Sequence, residues 1–230
     1  MNPRLYPRPI RILLAAFLLP AAASAARAAT PVSAAEAAAN LEKALKNVRT
    51  FEARFEQLYY STTVSTPLDE RGDFYFARPD KMRWEYREPQ KKVFLYADGL
   101  LQVYLAEDNQ LTRSRVPPEA NESDIIGIFL GKTSLREAYG VEETRFPTET
   151  AGVKQVKLTP RQEGDYSHIL LEIDQKTWLL RRALFFEWAG NKREYIFSHE
   201  TVNGILPPHI FEFKAPPGCE VIDEQGVIKR

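Results

Sequence analysis

The sequence predicts a mainly β (α+β) fold, in which about eleven strands form one antiparallel sheet and a few helices cover it. The first indication is alternation: in the segment 81–87, Met82 and Trp84 are apolar whereas Lys81 and Arg83 are charged, as expected of a half-buried strand. The second is the supply of residues that favour strands, with 13 Phe, 10 Tyr and 3 Trp. The third is that no regular alternation of strands and helices is present, which argues against a parallel sheet.

The first 26 residues have the order of a secretory signal peptide, with basic residues, an apolar run and a tract of small residues. These parts are Arg4, Arg8 and Arg11, residues 12–19, and residues 21–26. We expect cleavage between residues 25 and 34, which leaves one domain over 27–230. An N-terminal membrane anchor is the alternative, although the apolar run is short for a bilayer. The tract of small residues is typical of bacterial export and predicts a periplasmic location.

Composition and motifs argue against several classes of function. The 31 basic and 31 acidic residues cancel, so the chain lacks the basic character typical of nucleic-acid binding. Cys219 is the only cysteine, and the three histidines lack the spacing of metal ligands. No phosphate-binding loop or nucleophile elbow is present, so we predict neither a cofactor nor an enzyme. A lipid-active hydrolase that uses Cys219 or a histidine remains an alternative.

Three segments carry helix signals. They are residues 34–48, residues 123–130 and a short turn that ends at Gly140. The first begins at the capping box Ser33–Glu36 and repeats apolar residues at helical spacing. The second lies between a candidate N-cap, Ser123, and Gly131, and the third begins at a second capping box formed by Ser134 and Glu137.

Eleven segments read as strands, and turn residues separate most of them. They are residues 50–61, 73–77, 81–87, 91–97, 100–106, 141–148, 153–159, 166–174, 178–188, 192–201 and 209–214. Segments 93–96 and 184–186 are apolar on both faces, so both faces of the sheet need cover. The helices are too short to cover a flat sheet, which favours a strongly curved sheet with helices over its mouth. Such a sheet encloses either a ligand cavity or an ordinary packed core, and the pattern leaves both open.

Arg78 occupies a distinctive position, before a proline in the turn between two aromatic strands. By alternation it shares a strand face with Phe74 and Phe76. If that face is concave, the guanidinium lies at an apolar mouth, where the last carbonyls of a covering helix are suitable acceptors. An exposed turn arginine is the alternative.

These residues, taken in order, resemble the LolA family of periplasmic carriers of outer-membrane lipoproteins. The resemblance extends over about residues 34–222 and depends on the order of several short motifs. They are Phe51, Phe55 and Gln57; Gly72; Arg78-Pro79; Met82-Arg83-Trp84; Pro89; Asp98-Gly99; the apolar segment 124–131; and Phe211, Phe213 and Pro216-Pro217-Gly218.

The resemblance implies an incomplete antiparallel β-barrel with a helical lid and a cavity for lipoprotein acyl chains. It implies that Arg78 is a latch that bonds to lid carbonyls. The expected cavity residues are Phe74, Phe76, Met82 and Trp84, and the expected lid residues are Ile125, Ile126, Phe129 and Leu130.

The implied partners are an inner-membrane ABC lipoprotein transporter and an outer-membrane receptor of LolB type, with the carrier itself a monomer. One departure from the family concerns the strand after Asp98-Gly99, where Val103 and Leu105 replace the usual Trp and Tyr. This departure motivates an alternative, a LolA-like paralogue that carries another lipid or a glycolipid.

Overall fold

A computed structural model describes residues 31–115, 125–130 and 134–224. The predicted signal peptide, Ser123 and Gly131 lie outside these residues. Within the described residues, twelve strands form one sheet, in the order β12-β6-β5-β4-β3-β2-β1-β11-β10-β9-β8-β7. The strands are β1 Thr50–Tyr60, β2 Leu68–Ala77, β3 Lys81–Glu88, β4 Lys92–Ala97, β5 Leu100–Leu105, β6 Gln110–Arg115, β7 Tyr139–Glu143, β8 Val153–Pro160, β9 Tyr166–Asp174, β10 Leu180–Glu187, β11 Lys192–Val202 and β12 Glu220–Glu224.

The sheet is open and almost entirely antiparallel, which confirms the predicted fold class. Each strand pairs antiparallel with its neighbours, except that β12 pairs with β6 in parallel. The central pair is β1 with β11, and it joins the first six strands to the strands that follow α3. The two edge strands, β12 and β7, are not paired with each other.

One face of the sheet is concave, as contacts between distant strands show. Trp84 on β3 and Tyr195 on β11 are separated by β2 and β1, yet their ring centroids are 5.5 Å apart. In a flat sheet these strands would be about 14 Å apart, since neighbouring strands are spaced by about 4.8 Å. The sheet therefore bends toward this face, and most buried apolar side chains lie on it.

Three helices lie among the described residues: α1 Ala34–Asn47, α2 Ile125–Leu130 and α3 Leu135–Ala138. The Ser33 hydroxyl accepts a hydrogen bond from the Glu36 backbone N–H, as the predicted capping box requires. The second predicted box is wrong, because Ser134 makes no side-chain cap bond and Gly140 lies within β7. None of the three helices has the length and apolarity that crossing a bilayer demands.

The predicted strand at 209–214 is wrong: the chain there forms a 3-10 helix over Pro208–Phe211. Consecutive prolines at 207 and 208 remove the backbone donors that a strand ladder needs. This segment covers the outer face of the sheet, where Arg83 donates to the carbonyl oxygens of Ile210 and Glu212 at 3.3 Å each. It explains why β4 is apolar on both faces, since Leu95 is fully buried on the side away from the concave face.

Two strands, β6 and β12, were absent from the sequence prediction. In β6 only Leu111 is both apolar and buried, so the alternation is weak. The strand β12 is an acidic edge strand, and Gln110 of β6 donates to Glu220 at 3.1 Å. Pairing with a neighbour, rather than an apolar face, specifies both strands.

Gly72 permits β2 and β3 to approach closely at a register shift. A Cβ at this position would overlap the backbone carbonyl oxygen of Glu85 and lie 2.9 Å from the Phe55 ring. A glycine is therefore required here by space rather than by backbone conformation.

Candidate functional site: a cavity on the concave face

An aromatic cluster forms where α2 covers the sheet. Phe129 of α2 is 2% exposed, and its ring centroid is 4.8 Å from that of Phe74 and 5.5 Å from those of Phe51 and Phe197. The Phe76 ring is 6.3 Å away. The sheet residues lie at alternate positions of three adjacent strands, so they share one face. Phe129 therefore occupies part of the concave face that would otherwise be open.

A cavity of about 420 Å³ lies beside this cluster on the same face. Its lining residues are Gln57, Tyr59, Leu68, Glu70, Met82, Trp84, Tyr86, Lys92, Phe94, Tyr96, Leu101, Arg193 and Tyr195. Of the four residues predicted to line a cavity, the structure places Met82 and Trp84 in its wall. Phe74 and Phe76 lie instead in the aromatic cluster, packed against Phe129.

The predicted lid residues are described only in part. The side chains of Ile125, Ile126 and Leu130 lie outside the described part of the structure, although their backbone belongs to α2. Ile128 is 5% exposed and belongs to the main core, a contact that the sequence analysis missed.

Arg78 reaches from the β2–β3 turn to the C-terminal end of α1. Its Nη2 donates to the Leu45 carbonyl oxygen at 2.8 Å, and its Nε donates to the Val48 carbonyl oxygen at 3.2 Å. The guanidinium carbon lies 5.2 Å from the centroid of the Phe76 ring. Burial lowers the pKa of Arg78, yet an arginine stays charged at any physiological pH. These acceptors belong to the first helix rather than to the 125–130 helix, and their orientation favours a cation.

The helix α1 is also bonded to the segment that follows α2. Glu42 of α1 accepts hydrogen bonds from the Ser134 hydroxyl, at 3.2 Å, and from the Leu135 backbone N–H. Glu42 thereby caps α3, which is the role predicted for Ser134. Arg78 thus holds a helix that is itself joined to α3.

One end of the cavity is polar and hydrogen-bonded. Tyr86 donates to Gln57 Oε1 at 2.7 Å, Gln57 Nε2 donates to Glu70 Oε2 at 3.0 Å, and Lys92 Nζ donates to Glu70 Oε1 at 2.5 Å. Gln57 and Glu70 are 8% and 4% exposed. This group was not predicted, because β2 begins five residues before the predicted strand and Glu70 was therefore assigned to a loop. Gln57, at an inward position of β1, was the available signal.

The hydrolase alternative receives no support from the positions of its residues. Cys219 precedes the edge strand β12, and its thiol donates to the Glu220 carbonyl oxygen at 3.5 Å. His199 and His168 are on β11 and β9, seven and nine positions away in the sheet order. His209 lies in the 3-10 helix.

The fold and the cavity define an open, curved β-sheet protein with helices over an apolar concave face. The chain belongs to the LolA family: the model of "Outer membrane lipoprotein carrier protein LolA" matches residues 46–214. This match confirms the resemblance that the sequence motifs indicated.

Relatives in two bacteria are similar along most of their length. The outer-membrane lipoprotein carrier protein of Methylococcus capsulatus is 24% identical over 186 residues, which are 80% of this chain and 86% of the relative. That of Chromobacterium violaceum is 26% identical over 205 residues, 89% of this chain and 96% of the relative. A conserved protein of Thermus thermophilus has a similar fold, with a TM-score of 0.54 and 14% identity over 83% of this chain and 99% of that one.

Proposed function

We propose that this protein is a periplasmic carrier that binds the acyl chains of lipoproteins on its concave face and transfers lipoproteins from the inner to the outer membrane. The observation that carries the proposal is the apolar concave face, where some aromatic side chains line the cavity and others pack against Phe129. Relatives named as outer-membrane lipoprotein carrier proteins support it.

The role requires a large apolar surface, for a simple energetic reason. Each methylene removed from water contributes about 0.8 kcal/mol, so a chain of about 16 carbons costs roughly 12 kcal/mol to leave in water. The cavity wall contributes the apolar side chains of Met82, Trp84, Phe94 and Leu101 to this surface. No catalytic step is needed, because binding and release suffice.

The cavity must enlarge to take a full cargo. Its volume of about 420 Å³ is near the lower end of the range of about 300–1,000 Å³ that is typical of pockets for one small ligand. An anchor with more than one acyl chain needs more room. Displacement of Phe129 would supply it, because Phe51, Phe74, Phe76 and Phe197 would then face the cargo.

Arg78 is proposed to act as the latch that favours the closed state. Its hydrogen bonds hold the C-terminal end of α1, and Glu42 joins α1 to α3. Cargo opens this arrangement when acyl burial exceeds the energy of the latch. When cargo leaves, the latch closes again, which disfavours rebinding and promotes onward transfer.

The proposed partners are an inner-membrane ABC lipoprotein transporter that supplies cargo and an outer-membrane receptor of LolB type that accepts it. The signal peptide predicted over residues 1–26 supports a periplasmic location, and the carrier is proposed to act as a monomer.

The proposal is tested by loading the purified protein with a detergent-solubilised lipoprotein and removing the detergent on a gel-filtration column. We expect a soluble complex of carrier and lipoprotein. A lipoprotein whose acylated cysteine is replaced by serine is the matched control and should elute separately. Precipitation of the acylated lipoprotein, with the carrier eluting alone, would contradict the proposal.

A further inference from the structure

We propose that Gln57, Glu70 and Lys92 form a head-group site, which binds the ester carbonyl oxygens where acyl chains join the polar part of the cargo. This inference rests on the proposed carrier function and names the part of the cargo that the polar end of the cavity recognises.

The position of these residues along the sheet suits a head group. On β2, the inward side chains run in order from Leu68 through Glu70 to Phe74 and Phe76. Leu68 lines the cavity and is 49% exposed, so the cavity reaches the surface there. Phe74 and Phe76 pair with Trp84 and Met82, and these two partners line its apolar interior. The polar residues therefore lie between the opening and the interior.

The polar group has spare hydrogen-bond donors. Both Glu70 oxygens already accept hydrogen bonds, from Gln57 and from Lys92. The Gln57 amide and the Lys92 ammonium each have N–H groups beyond those that these bonds use. A ligand that accepts hydrogen bonds but cannot donate them is therefore complementary to the site, and an acyl ester has this property.

Charge also favours a neutral acceptor. Lys92 is balanced by Glu70 at 2.5 Å and lies 4.3 Å above the centroid of the Tyr86 ring. A free fatty acid would bring a carboxylate close to the buried Glu70, which is unfavourable where solvent screens little. The other cation in the cavity wall, Arg193, is already paired with Glu187 at 3.6 Å. We therefore assign the site to ester carbonyls rather than to a carboxylate.

The test compares three synthetic ligands by displacement of a fluorescent acyl probe. They are a diacylglyceryl-cysteine peptide with ester-linked chains, its ether-linked counterpart, and free palmitate. We expect the wild-type protein to bind the ester ligand about tenfold more tightly than the ether ligand, the effect of one charge-assisted hydrogen bond. Palmitate should bind more weakly than the ester ligand and show no dependence on Lys92.

The variant Glu70→Gln/Lys92→Met removes both charges together, so no unpaired buried carboxylate remains. It should bind both ligands within about twofold of each other and keep its affinity for the ether ligand, whereas Lys92→Arg should keep the ester preference. The matched control is Asp98→Asn/Lys81→Met, which removes a more exposed pair that does not line the cavity. Thermal unfolding of each variant checks that it is folded.

Three results would overturn the inference: equal binding of ester and ether ligands by the wild type, an ester preference that survives in Glu70→Gln/Lys92→Met, or palmitate binding that depends on Lys92. Failure of the carrier proposal is distinct, because the ether ligand would then not bind at all.

Discussion

The substitution Arg78→Leu tests the latch most sharply, because it removes the guanidinium that bonds to the end of α1 and places an apolar side chain beside Phe76. Arg78 donates to the carbonyl oxygens of Leu45 and Val48 at 2.8 and 3.2 Å. Charge-assisted bonds contribute about 1.5–3 kcal/mol each, and partial exposure reduces the sum. We expect the closed position of α1 to lose about 2 kcal/mol, which corresponds to roughly 30-fold more frequent opening.

Hydrogen–deuterium exchange of the α1 backbone amides measures this opening directly. In Arg78→Leu we expect faster exchange in the last turn of α1, together with slower release of bound lipoprotein to acceptor membranes. Arg87→Leu is the matched control, because Arg87 pairs with Asp73 on the outer face and is 62% exposed. If Arg78→Leu exchanges at the wild-type rate and passes cargo on as fast as the wild type, the latch is refuted.

Three further perturbations test the packing. Phe129→Ala should reduce the free energy of unfolding by about 3–5 kcal/mol yet bind an acyl probe more tightly, because the Phe129 side chain competes with cargo for the concave face. The control Leu171→Ala should reduce stability without changing probe binding. Weaker probe binding by Phe129→Ala would contradict the competition. Gly72→Ala should prevent recovery of folded protein, whereas Gly164→Ala, in open space, should fold normally as judged by circular dichroism. Burial lowers the pKa of His168, so the unfolded chain binds its proton more readily and stability falls as pH drops through about 6.5. Urea unfolding should show a smaller loss in His168→Gln, and an unchanged loss would be the contrary result.

Strand periodicity predicted most of the sheet because inward residues alternate cleanly where one face is buried. Met82, Trp84 and Tyr86 are buried, whereas Lys81 and Arg83 are partly exposed. Periodicity failed where pairing rather than burial specifies the strand, as in β6 and β12. It misled at Ile210 and Phe211, because apolar residues on a covering segment can imitate a strand.

The site was predictable to a lesser extent. Alternation placed Arg78 on the inner face, but it did not indicate that the end of α1 supplies acceptors to this arginine. Some aromatic residues of the concave face line the cavity, and others contact Phe129. Which residues do which depends on where α2 packs, and no local sequence pattern encodes that position. The Glu70–Lys92 pair joins residues 22 apart in sequence, and their side chains meet across β3, which lies between their strands.

The central claim is that the concave face shelters lipid anchors in transit. Mass spectrometry of the protein purified from its own cells under native conditions tests this most directly. The account predicts diacylglyceryl-peptide cargo in the bound fraction. A glycolipid or another lipid in its place would assign the protein to a different cargo. A bound fraction without any acylated molecule would contradict the account.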